Sequence, residues 1–138
     1  MTDEAAAAKA IGTSLTNLGL EYIDLYLLHQ AMGDYFAAYR AMESAYKAGK
    51  LKAIGVANFF PNILCNFCET VEVTPAVNQV ELNPFFTQED ALANMKNYGV
   101  QPMAWELIGE VLVDGVMNPG DVKNTDGLIR AAAIADKI

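Results

Sequence analysis

The segment AIGVAN, residues 53–58, is a short apolar run that ends at a polar side chain. A continuous apolar run of this length is expected of a strand buried on both faces of a parallel sheet. Three other runs share this design: YIDLYLL before His29, AVNQVEL around Gln79 and QPMAWEL around Trp105. Together the runs predict four strands, at Tyr22–Leu28, Ala53–Val56, Ala76–Leu82 and Pro102–Leu107.

Helical patterns separate these predicted strands. In the first helix, Asp3 is placed to cap the amino terminus and Gly19 to end the helix. Pro61 suits the first turn of another helix. The predicted helices are residues 2–18, 35–48, 61–69, 88–98 and 128–137. A regular alternation of strands and helices favours a parallel sheet built by right-handed crossovers.

The residues at the strand ends recur at intervals of 29, 21 and 26 residues, and they are His29, Asn58, Gln79 and Trp105. This spacing is typical of a β/α barrel, whose active site lies at the carboxyl ends of the strands. A complete barrel has eight such units in roughly 250 residues, whereas these 138 residues contain four. We therefore predict an α/β fold in one domain, residues 1–138, as a partial (β/α)8 barrel with four parallel strands and five helices.

The charge and hydropathy of the chain argue against some classes of partner. Nine basic and seventeen acidic residues give a net charge of −8, and a surface of this sign repels nucleic-acid phosphates and anionic lipids. No apolar stretch approaches the roughly 20 residues that span a bilayer, and the start MTDEAAAAKA lacks the features of a signal peptide. We therefore expect no nucleic acid and no membrane as partners, and a cytoplasmic location.

Cys65 and Cys68 form a CxxC pair, a pattern that occurs in redox and zinc sites. A zinc site of this kind needs a second pair of ligands, which the sequence does not provide. Residues three apart share a helix face, so packing within a helix is the simpler interpretation. No metal site is predicted.

The four strand-end residues suit a small-molecule site. The imidazole of His29 can transfer protons or orient a carbonyl group near neutral pH. The amides of Asn58 and Gln79 can donate to and accept from a ligand that carries an amide. Trp105 offers a flat face on which a ring can stack. Each residue also has a structural alternative, as a loop histidine, as amides that satisfy a buried strand end, or as a core tryptophan.

Four longer motifs occur along the chain, namely LGLEYIDLYLLH (residues 18–29), MESAYKAGKLKAIGVANF (42–59), PAVNQVELNPF (75–85) and GVQPMAW (99–105). Together they resemble the aldo/keto reductase family, most closely its bacterial diketogluconate-reductase type, over about residues 10–106. The family is known as a (β/α)8 barrel that reduces aldehydes and ketones with NADPH or NADH. The resemblance therefore implies an oxidoreductase acting on a small carbonyl compound, with this chain corresponding to strands four to seven of the barrel.

The resemblance also implies a role for each strand-end residue. His29 matches the family's active-site histidine, which orients and polarises the substrate carbonyl. Asn58 and Gln79 match the pair that hydrogen-bonds the nicotinamide carboxamide, and Trp105 matches the aromatic residue that stacks on the nicotinamide ring. Such contacts fix the plane and rotation of the ring, as hydride transfer to a carbonyl carbon requires.

The sequence departs from the family pattern at several positions. The proton-donating Tyr of the family, with its Lys and Asp, would lie in segments before Met1, and the Ser that usually precedes the carboxamide-binding Asn is Ala57 here. Residues 106–109 are Glu-Leu-Ile-Gly in place of the family's Ser-Pro-Leu-Gly. Family members use this turn to bind the pyrophosphate of the cofactor, which a carboxylate would repel. We therefore expect this polypeptide to be inactive or nearly so by itself, because general-acid catalysis contributes roughly 10²- to 10⁴-fold.

A non-catalytic binding or assembly module is the alternative from another functional class. Four parallel strands without closure leave two exposed sheet edges, and exposed edges recruit partners. Two copies would supply eight strands, so a homodimeric half-barrel is the specific form of this hypothesis.

Overall fold

The computed structural model describes residues 3–83 and 86–105. Within these residues, helices and strands alternate in the order α1 (Glu4–Leu18), β1 (Ile23–Leu28), α2 (Tyr35–Lys47), β2 (Leu51–Ala57), α3 (Pro61–Cys68), β3 (Val77–Glu81), α4 (Glu89–Tyr98) and β4 (Gln101–Trp105). The four strands form one parallel sheet in the order β1-β2-β3-β4. The predicted partial α/β barrel is confirmed, while the fifth helix, predicted at 128–137, lies outside the described residues.

The helix ends follow the local signals in the sequence. The Asp3 carboxylate accepts a hydrogen bond from the Ala6 N–H at 2.6 Å, and Gly19 ends α1 with a φ of 66°. Asp34 caps α2 in the same way, accepting from the Ala37 N–H at 2.9 Å. Pro61 is the first residue of α3. Each signal satisfies or replaces backbone groups that a helix end leaves without partners.

Strand β2 is longer than the predicted segment 53–56, because it begins at Leu51 and ends at Ala57. Leu51 is buried and Lys52 is exposed, with the Lys52 amine 4.7 Å from the centre of the Tyr22 ring. Lys52 interrupts the apolar run, so the sequence pattern alone does not include this residue in the strand. A lysine whose amine lies over an aromatic ring is nevertheless compatible with a strand.

The chain divides into two units, and of the described residues the first contains 3–80 and 89–103 and the second contains 81–83, 86–88 and 104–105. The core of the first unit joins strand residues such as Ile54 and Val56 to helix residues such as Met42 and Leu64. The prediction of a single domain over 1–138 stays a prediction.

An aromatic cluster lies at one end of this core. It comprises Tyr35, Phe36, Tyr39, Phe59 and Phe67, with the Phe59 and Phe67 ring centres 4.9 Å apart at 64°. Edge-to-face pairs of this kind contribute beyond the area they bury. Because Phe59 follows β2 by two residues, the cluster anchors the chain where that strand ends.

The neighbouring strands approach β2 closely at Gly55. A Cβ atom at this position would lie 2.6 Å from Val77 Cγ2 and 2.8 Å from both Leu27 Cδ2 and the Val77 carbonyl oxygen. The side chains of β1 and β3 therefore close over Gly55, and a residue without a side chain is required there.

In the second unit, hydrogen bonds join described residues that follow β3. Asn83 and Phe86 form an antiparallel bridge, and the Phe86 N–H also donates to Asn83 Oδ1 at 3.0 Å. Gln88 has a positive φ of 49°, and its side-chain amide donates to the Glu81 carbonyl. In the part of the chain that the structure covers, no helix has the length and apolar character needed to cross a membrane.

Candidate functional site

Three of the four predicted site residues lie at one level of neighbouring strands, two of them just beyond the ends of β1 and β2 and the third within β3. The registers Leu28↔Val56 and Ala57↔Gln79 place the end of β1, the end of β2 and the middle of β3 at one level of the sheet. His29 follows β1 directly and Asn58 follows β2 directly. In a parallel sheet the carboxyl ends of the strands share one edge, and this edge is the candidate site.

Hydrogen bonds connect these three residues. The Asn58 side-chain Nδ2 donates to the His29 carbonyl oxygen at 3.4 Å. The Asn58 backbone N–H donates to the Gln79 carbonyl oxygen at 2.8 Å. Asn58 therefore joins the end of β1 to β3, and the structure brings His29, Asn58 and Gln79 together.

Asn58 has an unusual backbone conformation, with a φ of 58°. Left-handed φ values are uncommon for residues other than glycine, and asparagine is among the few that adopt them readily. The conformation turns the chain sharply where β2 ends, between the buried Ala57 and the buried Phe59. Residues in such conformations persist only where the surrounding structure holds them.

Gln79 lies two residues after Val77 on β3, so the two side chains share a face of the sheet. Its Nε2 donates to the Met103 sulfur at 3.3 Å. A thioether is a weak acceptor, so this bond can be exchanged for one to a carbonyl oxygen at little cost. The Gln79 side chain is half-buried, which leaves it accessible to a ligand.

The His29 residue is exposed. Its carbonyl oxygen accepts the Asn58 hydrogen bond, so the backbone of this residue is part of the strand-end structure. An exposed imidazole beyond the end of a strand is accessible from solvent.

Trp105 ends β4 and belongs to the second unit. Its carbonyl oxygen accepts a hydrogen bond from the Leu82 N–H at 3.3 Å, and the residue is 38% exposed. The predicted stacking role of Trp105 stays a prediction. Residues 106–109, where the family resemblance implies a carboxylate beside a pyrophosphate, lie outside the described residues.

Asn78 is a functional candidate that the sequence analysis missed. It is fully buried, and its amide accepts from the Phe59 N–H at 3.3 Å and donates to the Phe59 carbonyl oxygen at 2.7 Å. The available signal was an amide inside an apolar strand, because a buried amide needs specific hydrogen-bond partners.

Both cysteines lie in α3 as half-buried free thiols, and Cys68 packs against the core. Cys65 Sγ lies 2.8 Å from the Tyr98 hydroxyl oxygen. Burial, with smaller effects from Cys65 and Glu69, raises the pKa of Cys68 to about 11. A protonated thiol is a poor nucleophile and a poor metal ligand, and among the described residues no cluster of His, Cys, Asp and Glu suits a metal ion.

Alkylation tests the state of Cys68. In a Cys65→Ser variant, iodoacetamide at pH 8 should react with folded Cys68 about 100-fold more slowly than with the urea-unfolded chain, since a pKa near 11 leaves about one thiol in a thousand ionised. The rate should rise about tenfold per pH unit up to that pKa. Mass spectrometry of timed samples gives both rates, and equal rates in the two states would contradict a buried, protonated thiol.

Four parallel strands that alternate with helices place the described residues in the α/β class, as part of a (β/α)8 barrel. The model of the aldo/keto reductase family matches residues 2–131, and the chain belongs to this family. The match extends on both sides of residues 10–106, the segment that carries the sequence resemblance.

Individual relatives agree with this membership. The chain is 40% identical over 124 residues to morphine 6-dehydrogenase of Pseudomonas putida, covering 88% of this chain and 40% of that protein. It is 39% identical over 104 residues to 2,5-diketo-D-gluconic acid reductase B of Corynebacterium sp., covering 73% and 38%. The crystal structure of Bombyx mori aldo-keto reductase AKR2E4 in complex with NADP matches with a TM-score of 0.79 and 28% identity, covering 98% and 47%. The chain spans about two fifths of the length of the curated relatives it matches.

Proposed function

We propose that this chain forms the nicotinamide-binding part of an oxidoreductase that reduces aldehydes or ketones with NADPH or NADH. The observation that carries the proposal is the placement of two amide side chains on neighbouring residues of the sheet, Asn58 and Gln79, whose backbones are joined by the bond from the Asn58 N–H to the Gln79 carbonyl oxygen. Solved relatives with NADP or NADPH bound support the choice of cofactor.

The donor set at the strand ends fits a carboxamide. A carboxamide presents one carbonyl acceptor and two N–H donors, and each Asn or Gln side chain presents the complementary groups. The weak Gln79 to Met103 bond leaves Gln79 able to change partners. Bound NADPH or NADH would supply a hydride to the carbonyl carbon of the substrate.

The residues of this chain then have separable tasks. Asn58 and Gln79 fix the rotation of the nicotinamide ring through its carboxamide, and Trp105 provides a stacking face. The exposed His29 donates a hydrogen bond to the substrate carbonyl oxygen and orients it toward the ring. Positioning of this kind converts a collision between two molecules into a reaction within one complex.

We further propose that the polypeptide of these 138 residues does not turn over by itself. No residue in it matches the family's Tyr, Lys and Asp, so the alkoxide formed by hydride transfer lacks its proton donor. The loss of a general acid costs roughly 10²- to 10⁴-fold in rate.

A steady-state assay of purified protein with NADPH and a reactive aldehyde tests this proposal. Oxidation of NADPH, followed by its absorbance, should be at least about 100-fold slower than for a full-length family reductase under the same conditions. Turnover comparable with the full-length enzyme would contradict the proposal. A reaction without aldehyde is the control for spontaneous oxidation.

A small carbonyl compound is the proposed substrate. The cytoplasmic location stays a prediction.

The alternative homodimeric half-barrel also stays a prediction. Its basis is that β1 lies at one edge of the described sheet, where its backbone groups are available to another strand.

A further inference from the structure

We infer that Asn78 is a positioning residue for the carboxamide site, because it fixes the backbone beside Asn58 and thereby the direction of the Asn58 side chain. The inference rests on the proposed function to the extent that Asn58 is the carboxamide contact. Asn78 itself is fully buried, so a ligand at this edge of the sheet cannot reach its side chain.

The first argument is the geometry of the Asn78 amide. Its Oδ1 accepts from the Phe59 N–H at 3.3 Å, and its Nδ2 donates to the Phe59 carbonyl oxygen at 2.7 Å. One side chain thus satisfies both backbone groups of one residue, beyond the point where β2 ends at Ala57. The amide supplies the hydrogen bonds that a neighbouring strand would give to the backbone of Phe59 if β2 continued to that residue.

The second argument is that the side chain of Phe59 is held in place as well as its backbone. Its ring is fully buried and makes edge contacts with Phe67 and Tyr35, with ring centres 4.9 and 5.7 Å apart. With the backbone held by Asn78 and the ring held by the aromatic cluster, residue 59 has little freedom to move.

The third argument is the conformation of Asn58. Its φ of 58° lies in the left-handed region, where a non-glycine residue stays only if its neighbours hold it. On one side, the Asn58 N–H is bonded to the Gln79 carbonyl oxygen at 2.8 Å. On the other side, the backbone of the next residue, Phe59, is hydrogen-bonded to the Asn78 amide. Removing the Asn78 amide frees the second side, and the Asn58 side chain then loses its fixed direction.

Gln79 provides an internal comparison. It lies within β3 and pairs with Ala57 in the sheet, so its position depends on the strand. A change at Asn78 should therefore disturb Asn58 more than Gln79. General loss of structure would disturb both residues to the same degree.

The first measurement needs no ligand. A left-handed φ gives a strong NOE between the amide proton and the α proton of the same residue, so NMR reports the conformation of Asn58 directly. We expect this NOE in the unmodified chain and in the control Asn66→Ala, which removes an exposed asparagine of α3. In Asn78→Ala, and in Asn78→Asp measured at a pH where its carboxyl is ionised, so that it keeps the size and the acceptor but has no donor for Phe59, the NOE should weaken or disappear.

The second measurement uses NADPH as the probe. In the unmodified chain, added NADPH should shift the side-chain ¹⁵N–H signals of Asn58 and Gln79. In Asn78→Asp the Asn58 shift should be lost, the Gln79 shift should remain, and the dissociation constant should rise about five- to tenfold, as for one misplaced hydrogen bond. The double variant Asn78→Asp, Asn58→Ala should bind no more weakly than Asn58→Ala alone, because Asn78 acts through Asn58.

The outcomes separate the two hypotheses. An unchanged Asn58 NOE in both Asn78 variants would overturn the inference, whatever NADPH does. Additive losses in the double variant would overturn it as well, because they would mean that Asn78 acts independently of Asn58. If NADPH shifts neither amide of the unmodified chain, the proposed function is contradicted, and the NOE alone then decides whether Asn78 holds Asn58.

Discussion

Replacing Gly55 by alanine should lower the free energy of unfolding of this protein by about 1–3 kcal/mol, the usual cost of overpacking a filled interior. The added methyl group would lie 2.6 Å from Val77 Cγ2 and 2.8 Å from the Val77 carbonyl oxygen. Neither atom can move away easily, because one belongs to a β-branched side chain and the other to the backbone of β3. The strands must therefore separate.

Urea unfolding followed by circular dichroism measures this effect. The matched control is Gly12→Ala in α1, where no atom lies within 4 Å of the new methyl group. Alanine is the better helix former by about 0.5–1 kcal/mol, so the same chemical change should raise the free energy of unfolding there. A Gly55→Ala variant as stable as the unmodified protein would contradict the close approach of the strands.

The position of Gly55 also relates stability to the site. Val77, which the new methyl group would displace, lies two residues before Gln79 on the same face of β3. A shift of β3 relative to β2 changes the register pair Ala57↔Gln79 and the bond from the Asn58 N–H to the Gln79 carbonyl oxygen. The glycine is thus part of the support on which the strand-end amides are held.

Much of this fold is predictable from sequence because its signals are local. Asp3 and Gly19 mark the ends of α1 through bonds to residues only three or four positions away, and each apolar run identifies its own strand. The strand-end residues are predictable for a similar reason, since each directly follows or lies within such a run. The start of β2 was missed because Lys52, whose amine lies over the Tyr22 ring, interrupts the apolar pattern.

The contacts that hold the site are not local, and sequence patterns do not reveal them. The Asn78 amide binds the backbone of a residue 19 positions earlier. The link from Asn58 to β1 goes to the carbonyl oxygen of His29, a group that every residue has. Such contacts depend on the register between strands, which only the folded chain determines.

Glu43 is a further example of a contact that depends on the folded chain. A glutamate within α2 would ordinarily be placed on the solvent side of the helix, yet Glu43 is only 5% exposed. Its Oε1 accepts hydrogen bonds from the N–H groups of Glu72 and Val73, at 2.8 and 2.9 Å. The carboxylate thus ties the segment before β3 to α2, across about 30 positions of the chain.

Tyr39 holds the same segment from a second direction. Its hydroxyl donates to the Val73 carbonyl oxygen at 3.1 Å, so both backbone groups of Val73 are bonded to side chains of α2. Burial, together with the nearby Glu43 carboxylate, raises the pKa of Tyr39 above its usual range. The hydroxyl therefore keeps its proton, and remains a donor, at any pH at which the protein is ordinarily studied.

Replacing Glu43 by alanine should lower the free energy of unfolding by about 2–4 kcal/mol, because two part-buried backbone N–H groups lose their acceptor at about 1–2 kcal/mol each. Glu43→Gln retains one acceptor oxygen and should lose less than half as much. Lys47→Ala, which removes the exposed ion pair to Glu72 in the same segment, should change the urea midpoint little. If Glu43→Ala unfolds at the same urea concentration as Lys47→Ala, the buried carboxylate does not hold the segment before β3.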